Sequence, residues 1–392
     1  MFGQSTQLNQ SALFTSNANM ISSPDNYGNQ SADGVIYLNS PNEVPKDSVE
    51  QIEFSPVNPT FFCLISWDST LRVYEINNGQ ITQKISIQLP AQPLSFAWRS
   101  DGNAAYVSLS NNTLQLAEFS TGGVQKFADC QSTVHKIRLA SSINALMAFD
   151  MSNKLSVYMV GNPTPVFNLQ IKFPIIEVDI SDNLLIMALG DSYSAILDIS
   201  SLNQYTPNDV VYTESQLKSP LSYCTINAKT LDFVLASVDG RVQKGMAQIQ
   251  NTGMGQNKKI YSTHFSANDN SRNFVFIAHS RKTGNVGISD MFAVNKCGFN
   301  SRSENFLYTA GSDGGLNFWD LKVKNKITST SLNNSITAAS VNNNGQYLAF
   351  ATGYDWSKGV WGLGEVSYTP RIGIRTIKDN ELVYNSGTPG LR

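Results

Sequence analysis

Hydrophobic and polar positions alternate along this chain in short runs, and the runs recur every 42 residues or so between positions 50 and 350. Seven times an apolar run ends in a bulky residue and a polar turn. These anchors are Phe54-Ser55-Pro56, Trp98-Arg99-Ser100, Leu139-Ala140-Ser141, Ile180-Ser181-Asp182, Ile226-Asn227-Ala228, Phe299-Asn300-Ser301 and Val341-Asn342-Asn343. Successive anchors lie 44, 41, 41, 46, 73 and 42 residues apart. In six of the seven units a second apolar run starts 15 to 17 positions later, at Leu71, Leu114, Leu155, Ala195, Val242 and Leu316. Self-similarity at this period predicts a ring of four-stranded blades. Such a ring more often presents a binding platform than a reaction centre.

Val, Ile, Tyr and Phe cluster in runs bounded by Asn, Asp, Gly and Ser, and no stretch holds a 3.6-residue apolar period. The expected fold is therefore all-β, a seven-bladed β-propeller. Asn78-Gly79, Asp101-Gly102, Asp239-Gly240, Asp313-Gly314 and Asn344-Gly345 supply turn residues that tolerate positive φ. Residues 1–46 are rich in Ser, Asn and Gln and are expected to form a disordered tail, with Val35-Ile36-Tyr37-Leu38 able to dock as a short strand. The ring is expected over residues 47–377, and residues 378–392 as a C-terminal tail. A polar insertion at about 245–272 separates Phe274-Val275-Phe276-Ile277-Ala278 from its blade. Closure requires a strand from one terminus, because an open edge is a template for pairing. Residues 35–50 and 366–377 both qualify.

Composition narrows the function classes. Of 392 residues, 41% are hydrophobic and 10% aromatic, enough for a large core, while only 15% are charged. A net charge of −2 argues against a globally basic nucleic-acid binder and leaves room for a local basic patch. Cys63, Cys130, Cys224 and Cys297 are widely spaced and the histidines are His135, His264 and His279, so no zinc cluster is expected. Reduced thiols in an intracellular protein fit this usage. The first basic residue is Lys46, so neither a secretory nor a mitochondrial leader is expected, and no apolar run is long enough to cross a bilayer.

No nucleophile–base pair or Gly-x-Ser-x-Gly elbow appears, so the chain is expected not to be an enzyme and to need no cofactor. The run Gly359-Val360-Trp361-Gly362-Leu363-Gly364 lacks the spacing of a phosphate cradle. Trp319-Asp320 spells the dipeptide that names the WD repeat, and a Trp there commonly packs between blades. Lys322, Lys324 and Lys326 follow at alternate positions, which on an extended segment puts all three on one side. They serve either as a guard on a solvated edge or as a basic strip for an acidic peptide or phosphate backbone. Arg241, after the Asp239-Gly240 turn, either pairs with a neighbouring blade or offers a planar fork to a partner carboxylate.

Three segments carry a family resemblance. They are Leu235-Ala236-Ser237-Val238-Asp239-Gly240-Arg241-Val242, Tyr308 through Asp320, and above all Tyr354-Asp355-Trp356-Ser357-Lys358-Gly359; Phe2-Gly3 is similar to the family's tail. Together they resemble the nuclear-pore-associated RNA-export WD-repeat family, a relative of the mitotic-checkpoint WD-repeat adaptor. The resemblance covers roughly residues 47–377 and is strongest after residue 220. It implies a WD-repeat propeller that binds a Glu-containing hairpin segment, called GLEBS, of an FG-repeat nucleoporin and takes part in mRNA export, with RNA contact. Carried onto this chain, Arg241 matches the Arg that meets acidic GLEBS residues. Phe276 matches an aromatic lining a peptide- and RNA-binding groove, and Trp319, Lys324 and Lys326 match its aromatic and basic residues; Asp320 and Lys322 are placed beside them as partner-binding, although Lys322 stands one step past the family's Lys position. Two departures stand out: the family has Lys directly after Trp-Asp where this chain has Leu321, and Val360-Trp361-Gly362-Leu363 replaces a polar, charged segment.

The expectation is a non-enzymatic pore adaptor in the nucleus and at the nuclear envelope, with some in the cytoplasm. Its partners would be an FG nucleoporin and messenger ribonucleoprotein, with no small-molecule substrate and no membrane insertion. The alternative is a spindle-checkpoint adaptor that binds GLEBS-like segments of kinetochore proteins.

Overall fold

Each of the seven anchors ends, or falls one residue short of ending, the innermost strand of a blade: Val49–Phe54, Pro93–Trp98, Val134–Ala140, Ile175–Ser181, Leu221–Asn227, Val294–Asn300 and Ile336–Val341. Three further antiparallel strands continue outward from each, and the seven sheets close into a β-propeller of WD-repeat type. The structure is a computed structural model that describes residues 34–250, 260–262, 272–284, 287–364 and 369–384. The tail before residue 34, most of the interior of the insertion and the residues from 385 onward lie outside the described residues. Among the described residues no helix is long and apolar enough to cross a membrane.

Alternating apolar residues put one row of each strand on either face of its blade, so each blade has two apolar faces. The core is accordingly divided among seven slabs, one between each pair of neighbours. Ile65, Leu71, Phe96 and Val107 join blades one and two, for example, and Phe306, Phe318, Ile336 and Phe350 join blades six and seven. A fully buried side chain of this size contributes about 1.5–3 kcal/mol. No slab forms without its neighbour, so the sequence specifies a ring rather than a stack.

Both candidate closing segments lie in the same blade. Arg371–Thr376 is the third strand of blade seven and Val35–Tyr37 is its fourth, with Ile36 opposite Ile374. Val35–Leu38 thus docks as a strand, and its side chains enter both slabs that flank the blade. The chain's first described strand covers the last edge.

The insertion has an unexpected role. Arg241–Met246 and Phe274–Ile277 are the third and fourth strands of blade five, with Val242 opposite Phe276. Between them, Gln248–Gln250 and Ile260–Ser262 form a hairpin that lies on blade four, where Leu197 pairs with Ile260. Blade four's own chain contributes only the two-residue strand Thr213–Glu214 to that edge. Blade five therefore lends blade four its outer strand.

Turns joining second to third strands define one face of the ring, here the upper face; turns joining first to second and third to fourth strands define the lower. All five predicted turn glycines adopt positive φ. At Gly240 and Gly314 no side chain fits. A Cβ would lie 2.3 Å from the carbonyl oxygen of His279 or Leu332, where the chain leaves one blade for the next.

Because Ile36 closes the ring, Ile36→Ala is expected to lower unfolding free energy by about 2 kcal/mol or more. The exposed control Val57→Ala should change it by less than about 0.5 kcal/mol. Urea unfolding midpoints of the two variants check this.

Candidate functional site

The predicted partner-binding residues fall into two groups, Arg241 at the upper face and the others along an outer seam of the ring. Arg241 opens its strand at the upper face, opposite Ile277, and its side chain is 45% exposed. Its nearest ionic partner is Asp239 of its own turn, at 3.6 Å, rather than a residue of a neighbouring blade. Val238 and Ile277 beside it are exposed, as are Trp67, Met291 and Trp356 on other turns and connections of that face.

Phe276, Trp319 and the lysines gather instead along the outer seam between blades five and six, which runs from Phe276, opposite Val242, down to the lysine turn. The Phe276 and Trp319 rings are 4.8 Å apart, with Phe274 beside Phe276. The Lys324 ammonium sits 4.6 Å from the Phe274 ring centre and that of Lys326 is 5.8 Å from Trp319.

The expected extended strip of three lysines is not what forms. Residues 321–324 make a turn, Lys324 has φ +57°, and only Lys326 stands on a strand. The cause is Asp320, whose Oδ1 accepts the amides of Lys322 at 2.9 Å and Val323 at 3.3 Å and pulls the chain around. Asp320 is 3% exposed and does not face outward. Leu321, which occupies the position of the family's Lys, is buried in the slab between blades five and six. Lys322 points to solvent.

Trp319 also has a structural role that sequence reading missed. Its indole Nε1–H donates to Thr309 Oγ1 at 3.0 Å, and that hydroxyl donates to His279 Nε2 at 2.9 Å. The remaining ring nitrogen, Nδ1, must then carry the proton, which it donates to Asp313 Oδ1 at 2.8 Å. Burial alone would raise the Asp313 carboxyl, but the hydrogen bond from His279, with that of the Gly315 amide, holds it below its ordinary value. The chain Trp–Thr–His–Asp fastens the exit of blade five to blade six. Its signal in the sequence was Trp319 ten residues after Thr309, with Asp313 in an Asp-Gly turn; only His279, on the preceding blade's exit, could not be placed.

Tyr354–Gly359 lies on the upper face at the mouth of the central channel. The Tyr354 hydroxyl donates to the Gly359 carbonyl at 2.6 Å, and Asp355 accepts from Asn295 at 2.9 Å. Trp356, at φ +60°, and Trp67 flank a cavity of about 500 Å³ whose floor is Lys296. Ser357 and Lys358 are exposed, and Val360 and Trp361 project further. The glycine-rich run winds into a 3-10 turn, Gly359–Gly364.

Below the mouth, charged side chains line the channel. A β-bulge at the same place in all seven inner strands sets which residues face it. Glu177 is the hub, 2.9 Å from Lys136 and 3.0 Å from Arg138. Burial opposes its ionisation, yet the pull of Lys136 and Arg138 wins and holds its carboxyl at about 2. Lys296 lies 5.0 Å from the Tyr223 ring centre, and burial followed by repulsion from Lys136 lowers its ammonium below the ordinary value.

No family model matches the chain. Among curated proteins it is 28% identical to Protein Rae1 of Drosophila melanogaster, over 80% of this chain and 87% of that one. It is 26% identical to mRNA export factor GLE2 of Chaetomium thermophilum, over 88% of this chain and 91% of that one. It is 25% identical to WD40 repeat protein poxJ of Penicillium oxalicum, over 80% and 86%.

Glu177 yields a pH prediction. Its folded value lies below the unfolded value near 4.3, so its stabilisation is present above about pH 4.3 and is lost as pH falls toward 2. Glu177→Gln should be less stable than the parent at neutral pH but show a flatter loss between about pH 5 and pH 3. Thermal melts across that range check it.

Proposed function

We propose that this chain, a member of the WD-repeat family that includes the mRNA export factors, is a non-enzymatic adaptor in mRNA export from the nucleus. It would act at the nuclear pore by holding a GLEBS-type segment of an FG nucleoporin on the upper face of the ring. The observation that carries this reading is the setting of Arg241. It is a half-exposed guanidinium whose ionic contact among the described residues is a 3.6 Å one within its own turn, and it is flanked by the exposed apolar Val238 and Ile277. A segment alternating acidic and apolar side chains complements that pattern, and the guanidinium offers a carboxylate a bidentate fork. Two relatives support the reading by name, one an mRNA export factor and the other a WD40 repeat protein.

The test is pull-down of a GLEBS-type peptide. Truncating one partner of a desolvated Arg–carboxylate pair costs about 2–5 kcal/mol. Arg241→Ala should therefore weaken binding far more than Arg99→Ala, whose guanidinium on the lower face pairs with Asp101 and Glu118. Equal binding by the two variants would count against this placement.

RNA contact is a second reading, supported by a separate observation: Phe274, Phe276 and Trp319 form an aromatic row with lysine ammoniums against it. Rings stack on bases and lysines neutralise phosphates. Affinity for single-stranded RNA should fall by about 0.7 log unit per log unit of salt for each phosphate contacted. A flat response in a salt titration, or no binding at low salt, removes RNA from the account.

A further inference from the structure

The Asp320 carboxylate has a second oxygen, and its use connects the aromatic–lysine seam to the C-terminal segment. While Oδ1 holds the amides of Lys322 and Val323, Oδ2 accepts the amide of Tyr384 at 3.1 Å. Tyr384 arrives there along a path fixed at several points. Arg375 is buried and pairs with Glu381, Arg302 pairs with Asp379, and the Arg302 guanidinium also donates to the Ile377 carbonyl at 3.0 Å. Leu382 packs against the slab between blades six and seven. The segment therefore crosses the lower side of blade seven and ends on the residue that bends the lysine turn.

We propose that Lys378–Tyr384 is a regulatory clasp: docked, it orders the Lys322–Lys324 turn, and released, it loosens that turn and weakens the seam's hold on an anionic strand. The proposal rests on the reading of that seam as an RNA-binding surface. Its physical basis is the sharing of one buried carboxylate. With Tyr384 withdrawn, Oδ2 is left without its protein donor at a buried position, and rotation of the carboxylate to seek another breaks the grip of Oδ1 on the turn. Lys324 then loses the left-handed backbone that sets its ammonium over Phe274.

Two variants isolate the clasp in the full chain. Tyr384→Pro deletes the amide that Asp320 accepts, together with the tyrosine side chain. Glu381→Gln weakens the anchor at Arg375. Tyr384→Ala keeps the amide while losing the same side chain and serves as control. Hydrogen exchange at the amides of Lys322 and Val323 should rise about fivefold in the first two variants and stay at the parent rate in the third. Single-stranded oligouridylate should bind the first two correspondingly more weakly. Unchanged exchange in both variants overturns the clasp, as does raised exchange with undiminished affinity. Failure of the parent protein to bind oligouridylate instead sinks the RNA reading on which the clasp rests.

Discussion

Everything in this molecule depends on apolar faces that no blade can bury by itself. Each sheet has two such faces, and each is covered only by the next sheet around the ring. A linear array would leave two apolar faces wet. Val35–Tyr37 removes that problem by lying beside Arg371–Thr376 and feeding side chains into the slabs on either side. Thirty-odd strands thus hold their places because three residues near the start of the described chain sit beside six near its end.

Polar groups inside the ring follow the same rule of mutual supply. Glu177 would be an expensive buried anion on its own, and Lys136 and Arg138 expensive buried cations; three inner-strand residues from two blades make one compensated cluster. His279 leaves blade five with a ring that needs both a donor and an acceptor, and blade six provides Thr309 and Asp313. Trp319 completes that chain while turning part of its ring toward Phe276. One residue thus serves the ring's cohesion and its outer surface, which is why substitution there would blur a binding measurement and why Arg241 and the lysines are cleaner probes.

Most of the ring was legible because strands and turns are local. Apolar anchors and Asp-Gly or Asn-Gly pairs report on a few neighbouring residues, and all seven anchors fall at inner-strand ends. What stayed hidden is set by contacts distant in sequence. The bulges that aim Glu177 and Lys296 into the channel depend on register against the next strand, not on composition. The hairpin at Gln248–Gln250 and Ile260–Ser262 is placed by an unfilled edge on blade four. The lysine positions were misjudged because an alternating pattern was read as a strand, whereas Asp320 captures two following amides and makes a turn. Arg241 and Trp319 were grouped by motif alone, and strand order separates them, Arg241 at the upper face and Trp319 along the outer seam.

The borrowed strand on blade four has a consequence for descent. Repeat proteins commonly grow and shrink by duplicating or losing one unit at a time. Here the fourth and fifth units share material: loss of the fifth would strip the fourth of its outer strand, and a copied fourth would arrive incomplete. Within this lineage the two are expected to be inherited as a single indivisible pair, so the ring's history can be shuffled at the other joints but not at this one.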